Sequence, residues 1–192
     1  MTKWGVVFKA RIIPETLHVK IENEVLRLAV DIALGTGLRV SEVASLRIEQ
    51  FRPDTNIVRI KRKGGVEQDI YFPEPLMQKI RDYIQRRWSD TPSGWLLCIP
   101  GTKTKVSRYW LSNNWRLTQK DQGIKQTYRF HDLRHTAITR FLEASQDPSL
   151  AQVFAGHRSI NTTMFYVHIN PKKVQEAQEK MYKKINCGGE TA

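Results

Sequence analysis

Apolar residues recur along this chain in two periods, and each period predicts a different element. Over residues 20–34, Ile21, Val25, Leu28, Ala29 and Ile32 fall at i, i+4, i+7, i+8 and i+11, the spacing of one buried helical face. Gly35-Thr36-Gly37 interrupts that pattern, and Val40, Val43, Ala44 and Leu46 predict a second helix starting at once. The period then shortens. Asn56–Arg62 and Glu67–Phe72 read as two short strands rich in branched and aromatic side chains, with Lys63-Gly64-Gly65 as the turn of a β-hairpin. A third short strand is expected at Trp95–Ile99, after the Pro92-Ser93-Gly94 loop.

The remaining pattern is helical. Residues 74–88 carry Leu76, Ile80, Tyr83, Ile84 and Trp88 on one side and Lys79, Arg81, Arg86 and Arg87 on the others. Ser107 is placed to cap a helix running to about Lys120. Another helix is predicted over Asp132–Ala144, ended by Ser145-Gln146-Asp147-Pro148, and a short one over Ser149–Ala155, stopped by Gly156. Ser159 is a candidate cap for a helix carrying Tyr166. Asn170-Pro171 opens a last helix, with Val174, Ala177, Met181 and Ile185 as its narrow apolar stripe. The tail from Gly188 to Ala192 is expected to be loose. The fold class is therefore α+β, mainly α-helical, with a small antiparallel hairpin on one side.

Composition narrows the partners. The 192 residues suit one domain with an appended tail, and 40% hydrophobic content suits a folded, water-soluble core. No apolar run reaches the roughly 20 residues that cross a bilayer, and the apolar part of the N-terminal segment is too short for a secretory signal. Cys98 and Cys187 show neither metal nor disulfide spacing, which fits free thiols in a reducing, cytoplasmic setting. Lysine and arginine number 31 against 19 acidic residues, a net charge of +12. Such a surface favours polyanions through counterion release, so nucleic acid leads the candidate partners.

Five residues then make chemical sense together: Arg39, His131, Arg134, His157 and Tyr166. Cleaving a phosphodiester builds charge on the non-bridging oxygens and on the departing oxygen. Arginine forks meet two phosphate oxygens and stay charged. A phenol with a pKa of about 10 becomes a nucleophile only beside cations and a base, and imidazoles titrate in the range needed to move its proton. Tyr166 is the candidate nucleophile. Lys63, at the hairpin tip, is a candidate acid for the leaving alkoxide.

These residues carry a family resemblance. Thr36-Gly37-Leu38-Arg39-Val40-Ser41-Glu42-Val43 resembles the first box of the tyrosine recombinases, the phage-integrase family. His131-Asp132-Leu133-Arg134-His135-Thr136 resembles the second box, and Gly156-His157 followed by Tyr166 resembles the third. Residues 57–73 are similar to the family's hairpin with its catalytic lysine. Four boxes in order, over roughly residues 20–185, are a specific match. The resemblance implies a lead-in segment at 1–19, a catalytic domain at 20–170, and a C-terminal helix and tail at 171–192. It further implies attack by Tyr166 to give a 3′-phosphotyrosyl link, with Arg39, Arg134 and His157 on the phosphate. Lys63 would be general acid and His131 would assist proton transfer, without ATP, metal or other cofactor. Its implied partners are double-stranded recombination-site DNA and further copies of the chain, a homo-tetramer in which residues 171–185 dock in trans.

Some features depart from that pattern. Family members commonly carry an N-terminal helical domain of roughly 100 residues, to which no segment here corresponds. The chain is read as an excised catalytic domain or a naturally short member. Phe154-Ala155 stands where leucines are usual, and Arg62 replaces a small residue before Lys63, adding charge near the acid. Glu42 and Asp132 are read as orienting groups, His135 as packing, and Tyr182 is rejected as nucleophile.

Three other functions remain open. A type IB topoisomerase would use the same style of site to relax supercoils, and a non-catalytic DNA-binding regulator would keep the fold. A zinc hydrolase would use His131 and His135 at i, i+4. Against that last reading, Asp132 stands where a zincin has Glu, Arg134 is an adjacent cation, and no third ligand is obvious.

Overall fold

The structure is a computed structural model, and it describes residues 13, 20–62, 65, 67–87, 94–125, 127–156 and 171–187. The first helix, α1 (Glu24–Thr36), begins where the Asn23 side chain accepts from the Leu26 N–H at 3.0 Å. Ile21, counted in the predicted stripe, lies before that start but is fully buried. The helix runs through Gly35 and Thr36, and Gly37 closes it in the left-handed conformation. The helix predicted to start after Gly37 does start there, as the single turn α2 (Val40–Val43), while Ala44 and Leu46, counted with it, lie past its end in turn and extended chain.

Strands β1 (Ile57–Lys61) and β2 (Glu67–Tyr71) pair antiparallel, with Ile57 opposite Tyr71 and Lys61 opposite Glu67. Side chains along β1 alternate, Val58 and Ile60 inward and Ile57, Arg59 and Lys61 outward. The third predicted strand does not form. Trp95 and Cys98 make only isolated bridges, to Arg47 and Lys105. The segment switches partner half-way: Leu96 N–H donates to Leu46 at 2.9 Å, while Leu97 C=O accepts from Val106 at 3.1 Å. Two short pairings in different directions leave no continuous ladder.

Helices α3 (Glu74–Arg87), α4 (Arg108–Asp121), α5 (Phe130–Ser145), α6 (Pro148–Ala155) and α7 (Pro171–Cys187) follow. Ser107 caps α4, accepting from Trp110 N–H at 3.0 Å. The helix predicted at Asp132 begins two residues earlier, because Asp132 reaches back to the Arg129 N–H at 2.8 Å. Asp147 accepts from Ser149 N–H at 2.8 Å and caps α6, whose first residue is Pro148 rather than Ser149.

One apolar core joins α1, α3, α4, the hairpin and the start of α5, with Trp115 and Phe72 at its centre. A smaller cluster, Ala137, Phe141, Leu150, Ala151, Phe154, Ala177 and Met181, joins α5, α6 and α7. In the isolated chain α7 thus lies on its own domain. Gln178 fastens it there, donating from Nε2 to Gly35 C=O at 2.7 Å and to Tyr71 C=O at 2.5 Å. Tyr182, rejected as a nucleophile from its position, is a core residue.

Gly35 permits this close approach. A Cβ there would lie 2.8 Å from Leu76 Cδ2 and 3.0 Å from Tyr182 Cε2. Alanine normally improves a helix interior by about 1 kcal/mol over glycine, but overpacking costs about 1–3 kcal/mol. Both neighbours are buried, so the clash should win. Gly35→Ala should lower the urea midpoint of unfolding, and a raised midpoint would show that α7 yields freely.

Candidate active site

Three of the six predicted site residues, Arg39, His131 and Arg134, lie within the described residues; Lys63, His157 and Tyr166 lie outside them. Arg39 precedes the first turn of α2. Its backbone N–H donates to Glu42 Oε2 at 2.8 Å and its Nη1 to Glu42 Oε1 at 3.1 Å. Glu42 is buried, whereas the Arg39 side chain is 36% exposed. The carboxylate therefore holds the arginine from beneath while solvent reaches the fork, the orienting role expected of Glu42.

Arg134 is placed differently. It is 2% exposed, and its guanidinium donates from Nη1 to Gly37 C=O and from Nη2 to Ala155 C=O at 2.5 Å. One side chain thereby ties the loop that presents Arg39 to the end of α6. Burial, with Arg39 and Arg62 nearby, lowers its pKa to about 10, while Glu42 acts in the opposite direction. It remains charged at neutral pH.

His131 stands in the first turn of α5, and its ring meets His135 edge-on with centroids 4.5 Å apart. Its pKa is depressed by desolvation first, then by His135 and Arg134, with a smaller contribution from Arg39; Asp132 opposes them. A neutral imidazole can accept a proton, which suits assistance at a phenol. Among the described residues no group of three His, Cys, Asp or Glu side chains could hold a metal ion.

Sequence reasoning underrated Arg62. Its Nη1 donates to Glu42 Oε2 at 3.0 Å and to Oε1 at 3.2 Å, and its Nε to Gln68 Oε1 at 2.9 Å. The added charge expected beside Lys63 is thus buried and balanced by Glu42. Strand alternation carried the clue: position 62 continues the inward face of Val58 and Ile60. Gln119 was also missed. Fully buried, it donates to Trp115 C=O and Tyr128 C=O, each at 2.9 Å, and so fixes the chain leading into α5. Of the tryptophans, Trp115 is core and Trp110 packs against that core, while the Arg47 guanidinium and the Lys105 ammonium lie over the Trp95 ring, 4.7 and 4.3 Å from its centroid. Trp88 lies outside the described residues.

Residues 11–173 match the model of the phage integrase family. The chain belongs to that family. This phage-integrase chain is 35% identical over 158 residues to tyrosine recombinase XerA of Pyrococcus furiosus, covering 80% of itself and 54% of that protein. It is 24% identical over 160 residues to tyrosine recombinase XerC of Leptospira interrogans, covering 81% of itself and 50% of that protein. The chain therefore spans about half the length of the curated relatives it matches. Its fold resembles that of a crystal structure of XerA recombinase, with TM-score 0.68 at 23% identity over 90% of this chain and 64% of that one. It also resembles XerH site-specific recombinase bound to difH substrate, with TM-score 0.63 at 23% identity over 85% of this chain and 50% of that one. These likenesses match the mainly helical fold with one small hairpin.

Two predictions separate scaffold from contact. Arg134→Lys leaves buried carbonyls short of a donor and should cost about 2–4 kcal/mol in urea unfolding. Arg39→Lys, at a solvent-facing fork, should cost less than about 1 kcal/mol. A further prediction follows from His131. A histidine whose folded pKa lies below its unfolded value near 6.5 makes the unfolded state the better proton binder, so stability falls as pH drops through and below 6.5. Unfolding free energy measured between about pH 5 and 7 should rise with pH in the parent, and more steeply than in His131→Gln. Parallel profiles would remove His131 as the cause.

Proposed function

We propose that this chain is the catalytic part of a site-specific DNA recombinase or integrase that cuts and rejoins strands through a 3′-phosphotyrosyl intermediate at Tyr166. The observation that carries the reading is the convergence of Arg39 and Arg134, remote in sequence, on one small loop through Glu42 and Gly37, in a member of the phage integrase family. Two guanidiniums fixed by rigid elements suit the non-bridging oxygens of a phosphodiester, whose charge grows toward the transition state. Arginine carries five N–H donors, and the carbonyls of Gly37 and Ala155 engage only two of the nitrogens of Arg134.

In the proposed step, the Tyr166 oxygen forms a bond to phosphorus as the bond from phosphorus to the 5′ oxygen breaks. His131, neutral at physiological pH, assists removal of the phenolic proton, and Lys63 delivers a proton to the departing 5′ oxygen. His157 adds a hydrogen bond to the phosphate. The products are a 3′-phosphotyrosyl ester and a 5′-hydroxyl. Because the ester preserves the energy of the original bond, attack by another 5′-hydroxyl rejoins DNA without ATP or a metal ion.

The partner is double-stranded DNA, supported by the net charge of +12, and the reaction takes place in the cytoplasm. No helix among the described residues is long and apolar enough to cross a membrane. Strand exchange would proceed in a tetramer. Since α7 covers its own core in the isolated chain, docking in trans through residues 171–185 would exchange the Ala177 and Met181 contacts for equivalent ones on a neighbour.

A nicked suicide substrate tests the chemistry. It should trap a covalent adduct that peptide mass spectrometry places on Tyr166. Tyr166→Phe should abolish the adduct while DNA binding survives, and Arg39→Lys should slow it by about 100-fold or more. An adduct on another residue, or strand scission with none, would overturn the proposal.

A further inference from the structure

Lys63 and His157 each follow directly on a residue held by the same buried contact. Arg62 closes the inward face of β1, and Gly156 follows the last residue of α6. The Arg62 guanidinium lies against Gly156: a Cβ on that glycine would fall 2.7 Å from Arg62 Cζ and 2.8 Å from Gln68 Oε1. Gln68, bonded to Arg62 Nε, also donates from Nε2 to Val153 C=O at 3.3 Å. On its other edge Arg62 meets the carboxylate that holds Arg39. A single guanidinium therefore touches the base of the hairpin loop, the end of α6 and the support of the exposed arginine.

Resting on the reading that Tyr166 cleaves DNA with Lys63 as acid, we propose that Arg62 is a positioning residue that sets Lys63 against the scissile phosphate. A small residue at this position would leave the hairpin end joined to the rest of the site only through its neighbours. The arginine anchors that end to Glu42, Gln68 and Gly156 at once. The bonds from the Arg39 backbone and fork to Glu42 do not run through Arg62, so loss of Arg62 should fall on the hairpin rather than on the phosphate clamp. Gly156 is part of the same fit. It adopts φ 60°, and any side chain there would collide with Arg62.

The leaving atom gives a readout that a purely structural role would not move. DNA carrying sulfur in place of the bridging 5′ oxygen departs as a thiolate, with a pKa near that of cysteine, about 8.5, and needs no general acid. Adduct formation by the full chain is timed on oxygen and sulfur versions of the suicide substrate. Arg62→Ala should slow the oxygen reaction by about 10- to 100-fold and restore near-parental rates with sulfur, as should Lys63→Ala. Arg39→Lys should stay slow on both. Equal losses of Arg62→Ala on both substrates, or no loss, would overturn the proposal. If circular dichroism shows Arg62→Ala unfolded, Gln68→Ala takes its place, with a smaller loss that sulfur again removes; a loss indifferent to the leaving atom overturns it. A parent that forms no adduct on either substrate refutes the Tyr166 chemistry itself, and is seen before any change at Arg62.

Discussion

A guanidinium taken out of water costs several kcal/mol unless its donors find fixed acceptors, and Arg134 finds two on separate pieces of backbone. Gly37 C=O belongs to the loop after α1, and Ala155 C=O to the last turn of α6. Neither carbonyl can move away without stranding a buried charge, so the two loops are held at one separation. That constraint is what lets a loop carrying Arg39 and a helix end leading to His157 behave as one rigid rim. The glutamine contacts repeat the device in neutral form. Gln119 fixes the approach to α5, and Gln178 fixes α7 to the end of α1 and the end of β2.

Rigidity of this kind matters because arginine acts on a phosphate by geometry as much as by charge. Arg39 is held through its backbone N–H as well as its side chain, so Glu42 sets where the residue sits and which way its fork leans. Glu42 is in turn shared with Arg62, which makes the carboxylate a common reference for the loop and the hairpin. Breaking a buried pair of this type costs roughly 3–5 kcal/mol. The hairpin itself is only five residues a side, and two-stranded hairpins are marginal alone. Its inner residues Val58, Ile60 and Ile70 reach the main core, and Arg62 secures the end that the core does not reach.

What the sequence made legible follows from which signals are local. Helices announced themselves through period and caps: Ser107 was readable because a capping side chain acts within three residues of itself. The order of the boxes brought Arg39 and Arg134 to one site before any coordinates. Three features were not readable for the same physical reason. The absent third strand depends on which partners 95–98 meet, the length of the helix after Gly37 depends on tertiary packing, and the burial of Arg62 depends on a carboxylate 20 positions away. Gly35 was read as a helix breaker, yet it lies inside α1, where its missing side chain serves the approach of Tyr182.

Charge completes the picture of what the rim is suited to hold. Among the described residues, three guanidiniums, on Arg39, Arg62 and Arg134, are grouped with one carboxylate, Glu42. The surplus registers on Arg134, whose pKa is pushed down to about 10 by burial and by the other two cations. Linkage makes that shift reciprocal: an anion bound among these groups would favour the charged form of Arg134, and the same free energy would favour the anion. Hydrogen bonds to Gly37, Ala155 and Glu42 hold the buried Arg134 and Arg62 where they are, so their repulsion is retained in the fold. An anion joining Arg39 and Arg134 would relieve that repulsion.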